Sequence, residues 1–171
     1  SLNDDLKTVW WPLPTDDDAE SWRLRAQAWE HPNVMIGGSD AGAHLDRMAG
    51  APYTTAWLAD CLRGRQLTSM ENAVRHLTDV PARLFGFTER GRIAEGWHAD
   101  IVVFDPGTVG ATDVELVFDL PGGSKRLWSE ATGISRVLVN GVVSVADGTA
   151  TGAIAGKVMR AGVDTETVTA S

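Results

Sequence analysis

A chain of 171 residues that is 43% hydrophobic and 22% charged has room for one ordinary folded domain and lacks the polar bias of a disordered one. Its net charge of −8, with no run of Lys or Arg, argues against nucleic acid and anionic membrane surfaces as partners. The single cysteine, Cys61, allows no internal disulfide and suits a reducing cytoplasm, and no apolar run approaches the roughly 20 residues that cross a bilayer.

The leading stretch does not read as a secretory signal. It carries three of the seven tryptophans, Trp10, Trp11 and Trp22, and is expected to pack against something. "DDDAESWRLRAQAWEHP" predicts a helix capped from within Asp16 to Asp18 and broken by Pro32. Val34-Met35-Ile36 has no polar alternation, the pattern of a strand buried on both faces in a parallel sheet, and it closes on Gly37-Gly38. "YTTAWLADCLRGR" predicts a helix with Ala56, Trp57, Cys61 and Leu62 near one face and Gly64 as its stop. A capping box beginning at Thr68 opens a second helix, with Met70, Ala73, Val74 and Leu77 along one stripe. Asp79 is the expected cap of a short third helix that Gly86 ends.

Beyond Gly86 the character turns to strand. A short strand is expected to reach Ile93, followed by Ile101 to Phe104 stopped at Asp105-Pro106. Residues 107–133 give no clear pattern. "ISRVLVNGVVSV" predicts a two-residue type I′ hairpin at Asn140-Gly141, and an edge strand is expected over residues 157–160.

The chemistry concentrates at "VMIGGSDAGAH". In parallel sheets, ligands gather at the carboxyl ends of the strands, and Asp40 follows such an end with little bulk at Gly37, Gly38, Ser39 and Gly42. A carboxylate there can take a proton from a metal-bound water and return it to a leaving group. Equally, Asp40 can serve only as an Asx-turn or helix cap. His44 reads as a loop residue, Asp46-Arg47 as a surface pair, and His76 and His98 as structural or solvated. None of the histidines has a zinc-site spacing, Cys61 reads as core, and Trp57 and Trp97 read as packing groups.

"MIGGSDAGAH", "LTSMENAVRHLTDVPARLFGF", "RGRIAEGWHADIVVFDP" and "VLVNGVVSV", in that order, resemble the C-terminal portion of the amidohydrolase superfamily, most closely its N-acyl-D-amino-acid deacylase branch. The resemblance implies an α/β protein: the C-terminal fragment of a (β/α)8 barrel over residues 1–88, then a small antiparallel β-sandwich over 89–171. Residues 34–36 would be the last barrel strand, because a whole barrel takes roughly 250 residues. The implied activity is zinc-dependent hydrolysis of a small linear amide, with one or two zinc ions. Asp40 would be catalytic proton shuttle and metal ligand, and Ser39, His44 and Arg47 would contact substrate. The fragment alone would be inactive and would associate, as a homo-oligomer or otherwise, through exposed surface. D-aminoacylases carry an arginine in the loop after the aspartate. Residues 48–52 have no basic residue, and Arg47 is out of register. A cyclic-amide hydrolase and a non-catalytic assembly module are the alternative readings.

Overall fold

The computed structural model describes residues 15–168. Trp10 and Trp11 lie outside them. Helix α1, Ala19–Trp29, begins as expected at Asp18, whose Oδ1 accepts from the backbone N–H groups of Glu20 and Ser21 at 3.0 Å each. None of its residues is fully buried. It is held by aromatic contacts: Trp29 sets its ring edge-on to Trp57 with centroids 4.6 Å apart, and the Arg25 and Arg65 guanidinium groups stack on Trp22.

The expected buried strand at residues 34–36 does not form. The three residues are half-buried and join no ladder. An apolar run reports that a segment is to be covered, but a strand also needs neighbouring backbones for its N–H and C=O groups. None is offered among the described residues.

Helices α2 (Tyr53–Leu62), α3 (Met70–Leu77) and α4 (Asp79–Leu84) follow. The cap of α3 is Ser69, one residue later than the box predicted: its Oγ accepts from Asn72 N at 3.2 Å, while Thr68 Oγ1 accepts from the Asn72 side chain. Asp79 is the first residue of α4 rather than its cap. Its carboxylate instead accepts from Arg83 at 3.0 Å and Arg92 at 2.5 Å. Gly86, at φ +67°, ends the helix.

All the strand pairings are antiparallel. The main sheet contains β1 (Ile101–Phe104), β6 (Ile134–Val139), β7 (Val142–Ala146) and β8 (Thr149–Ala150), in the order β1-β6-β7-β8. Asn140 (φ +48°) and Gly141 (φ +80°) make the predicted turn between Val139 and Val142. The previously unassigned stretch supplies two further ladders: β2 (Gly110–Ala111) with β5 (Ala131–Thr132), and β3 (Glu115–Leu120) with β4 (Ser124–Trp128). Residues 91–93 and 157–160 form no strand, contrary to the pattern read from them.

The core is small and draws on both helices and strands. Leu58, Cys61, Ala73 and Val109 are buried together, with Trp57, Leu77, Phe104 and Ile134 packed around them. Arg63, the C-cap of α2, donates to the carbonyls of Pro106 and Val109, pinning the loop after β1 to the end of the helix. Much apolar surface stays uncovered, including Ile93 at 86% exposure and Val102 at 52%. No helix of the described residues is long and apolar enough to cross a membrane.

Candidate active-site segment

Residues 39–48 form a sequence of tight turns. Ser39 Oγ accepts from Ala41 N at 3.1 Å, and the Asp40 carbonyl accepts from Ala43 N at 2.9 Å. The chain then enters the left-handed region at His44 (φ +47°), whose carbonyl accepts from Arg47 N and Met48 N. The Leu45 carbonyl accepts from Leu127 N at 2.7 Å, which ties the segment to β4. A Cβ on Gly50 would lie 3.3 Å from Ser39 Cβ, so the returning chain passes close beneath the turn.

This geometry separates the two roles open to Asp40. The turn is closed by the Ser39 hydroxyl and by backbone groups, not by the Asp40 carboxylate, which accepts no hydrogen bond and forms no ion pair among the described residues. The carboxylate is exposed, as are Ser39, His44 and Arg47. Arg47 Nε lies 3.5 Å from Asp46 Oδ2, a surface pair as expected. Among the described residues no group of three or more His, Cys, Asp or Glu side chains could hold a metal ion.

Two cavities lie elsewhere. One of about 440 Å³ opens between α2, α3 and β1, with an apolar lining that includes Leu58, Val74, Ile93, Val102 and Phe104. The other, about 260 Å³, has Arg90, His98, Lys157 and Asp164 on its wall. Asp40 lines neither. Sequence reasoning overlooked Arg90. Its guanidinium donates to Asp100 and, at 3.2 Å, to Asn140 Oδ1, and the Asn140 side-chain amide donates to the Ala155 carbonyl at 2.7 Å. Only the Asn140-Gly141 turn signal hinted at this network.

Cys61 is 4% exposed, and burial, with Asp60 nearby, pushes its thiol up to about 12. At neutral pH its thiolate is scarce. Ellman's reagent is therefore expected to label it only on unfolding. Rapid labelling of the native chain would place the thiol at the surface.

The chain belongs to the amidohydrolase family, which it matches over residues 19–145, a span that takes in both the Asp40 segment and the Asn140-Gly141 hairpin. Within that family it is similar to an N-acyl-D-glutamate deacylase of Alcaligenes xylosoxydans xylosoxydans, 36% identical over 119 residues that cover 66% of this chain and 22% of the relative. An N-acyl-D-aspartate deacylase of the same organism is 38% identical over 127 residues, covering 73% and 23% respectively. A solved structure of an N-acyl-D-glutamate deacylase from Bordetella bronchiseptica, complexed with zinc and a phosphonate mimic of the tetrahedral intermediate, is 37% identical, covers 55% of this chain and 19% of its own, and gives a TM-score of 0.39. The chain thus spans less than a quarter of the length of the curated relatives it matches.

Proposed function

We propose that this chain is the C-terminal part of a metal-dependent amidohydrolase acting on a linear amide of the N-acyl-D-amino-acid kind, and that Asp40 moves the proton in that reaction. The observation that carries this reading is the family match over residues 19–145, together with deacylases 36% and 38% identical to the chain. The unengaged Asp40 carboxylate supports it, since a group already committed to its own turn would be a poor proton carrier.

Asp40 accepts a proton from the attacking water and delivers it to the leaving nitrogen, so one carboxyl group serves both halves of the reaction. Ser39 holds the turn in place. His44 and Arg47 flank the substrate, and Arg47 gives up only a weak surface pair with Asp46 to do so. Zinc needs three or four donors, and the described residues do not fit it by themselves, because they assemble no such group around Asp40. The other ligands of the one or two ions that the family resemblance implies belong to the longer polypeptide.

The same reading gives residues 1–88 to the end of a (β/α)8 barrel and 89–171 to a small β domain. Ile93, Val102 and the apolar cavity are then surfaces that the rest of the barrel and β domain cover. Isolated, the chain associates through these faces and is inactive. The unpaired cysteine accords with a cytoplasmic enzyme.

Assaying the longer polypeptide on N-acyl-D-amino acids, their L-enantiomers and hydantoins tests the substrate class. Turnover confined to the N-acyl-D compounds is expected. Preferential opening of hydantoins would move the activity to cyclic amides, and no hydrolysis of either would leave only an assembly role.

A further inference from the structure

His76 on α3 is 2% exposed, and neither of its ring nitrogens has a hydrogen-bond partner among the described residues. A neutral imidazole still carries one donor and one acceptor, so this ring is buried with both unmet. It lies where α1 docks. Glu30, which closes α1, accepts from the Asn72 side chain on α3 at 3.0 Å, and the neighbouring Trp29 sets its ring against Trp57 on α2. Away from this end, Arg65, beyond the end of α2, makes surface contacts with Asp17 and with Trp22 of α1, and α1 buries no residue fully.

We propose that His76 is an acid-sensitive latch for α1: protonating the ring forces it toward water and undocks the helix from α2 and α3. This is independent of the hydrolase reading. Burial is the larger influence holding the ring neutral, and Arg75 on its own helix adds to it. Glu30, from α1, favours the charged form but does not prevail, and the Trp29 backbone lies close to the ring without closing a hydrogen bond to it. Among the described residues no other charged group acts on the ring. The docked state therefore binds a proton less readily than a free imidazole, whose ordinary value is about 6.5. Docking is complete above that value and is lost as pH falls through the lower docked-state value.

The test is NMR of the 171-residue chain between about pH 8 and about pH 5, above the carboxylate range. The inter-ring Trp29–Trp57 NOE is expected to disappear on acidification. Between the free-imidazole value and the lower docked-state value the ratio of docked to undocked α1 should fall by up to about tenfold per pH unit and then level off, while NOEs across the Val139–Val142 hairpin persist. His76→Leu should keep the Trp29–Trp57 NOE throughout. Glu30→Gln, which can still accept from Asn72 but no longer favours the charged ring, should move the midpoint to higher pH. An NOE that survives acidification in the unaltered chain, or an equal loss in His76→Leu, would overturn the latch. Should His76→Leu fail to fold, an unchanged midpoint in Glu30→Gln would overturn it as well.

Discussion

In the longer polypeptide, Asp40→Asn is expected to lower kcat by about 10²–10⁴-fold, the usual contribution of a positioned acid–base group. Asparagine keeps the shape of the side chain and cannot carry the proton. The carboxylate makes no hydrogen bond within the described residues, so the substitution removes nothing the fold uses. Exposed positions of this kind change stability by no more than about 0.5 kcal/mol. A variant with unaltered thermal unfolding and little turnover is the expected pair of results. Near-normal turnover would take the proton-transfer role away from Asp40. Ser39→Ala makes a useful contrast: it loses the hydrogen bond from Ala41 N and is expected to weaken activity only by loosening the turn.

Gly133→Ala is expected to destabilise the chain by about 3 kcal/mol or more, combining a left-handed backbone with an overpacked core. Gly133 has φ +71°, and a Cβ there would lie 2.5 Å from Val109 Cα and 2.6 Å from the Thr108 carbonyl carbon. These are backbone atoms at the fully buried Val109, and they cannot swing aside. The Gly133 carbonyl also accepts from Asp105 N at 2.9 Å, so the strand cannot retreat without losing that bond. Gly148→Ala separates the two causes. Its φ is +78°, yet a Cβ would meet nothing within 4 Å, and only the backbone penalty of about 1–2 kcal/mol applies. Urea unfolding of the two variants side by side measures the difference, and equal losses would remove Val109 from the account.

What could be read from the sequence was what is decided locally. Asp18 caps α1 and Asn140-Gly141 turns the hairpin because each signal acts within two or three residues. Ser69 displaced Thr68 as the cap of α3 because both can offer a hydroxyl there and the backbone selects between them. The segment 34–36 differs for another reason: its apolar run encodes burial, while a strand also needs neighbouring strands for its hydrogen bonds, and none pairs with it among the described residues. Residues 107–133 hid the β3–β4 hairpin because both faces of that ribbon stay wet. Phe118, 66% exposed, breaks the expected alternation, although Pro121-Gly122-Gly123 marked the turn. The Arg90–Asn140 contact joins residues 50 apart, and no local pattern encodes it.

The candidate site divides the same way. The glycine-flanked aspartate stood out through its neighbours, and the order of segments around it pointed to the family. Its freedom from its own turn became visible only in three dimensions, where Ser39 was found to close that turn. The buried state of His76 was likewise beyond a reading that left the residue structural or solvated.

A crystal structure of the longer polypeptide grown with zinc would show where Asp40 points. It should show residues 34–36 paired with a neighbouring strand and the Asp40 carboxylate within about 2–3 Å of the metal or of a water bound to it. A zinc ion held elsewhere, with Asp40 still facing bulk solvent, would contradict the account.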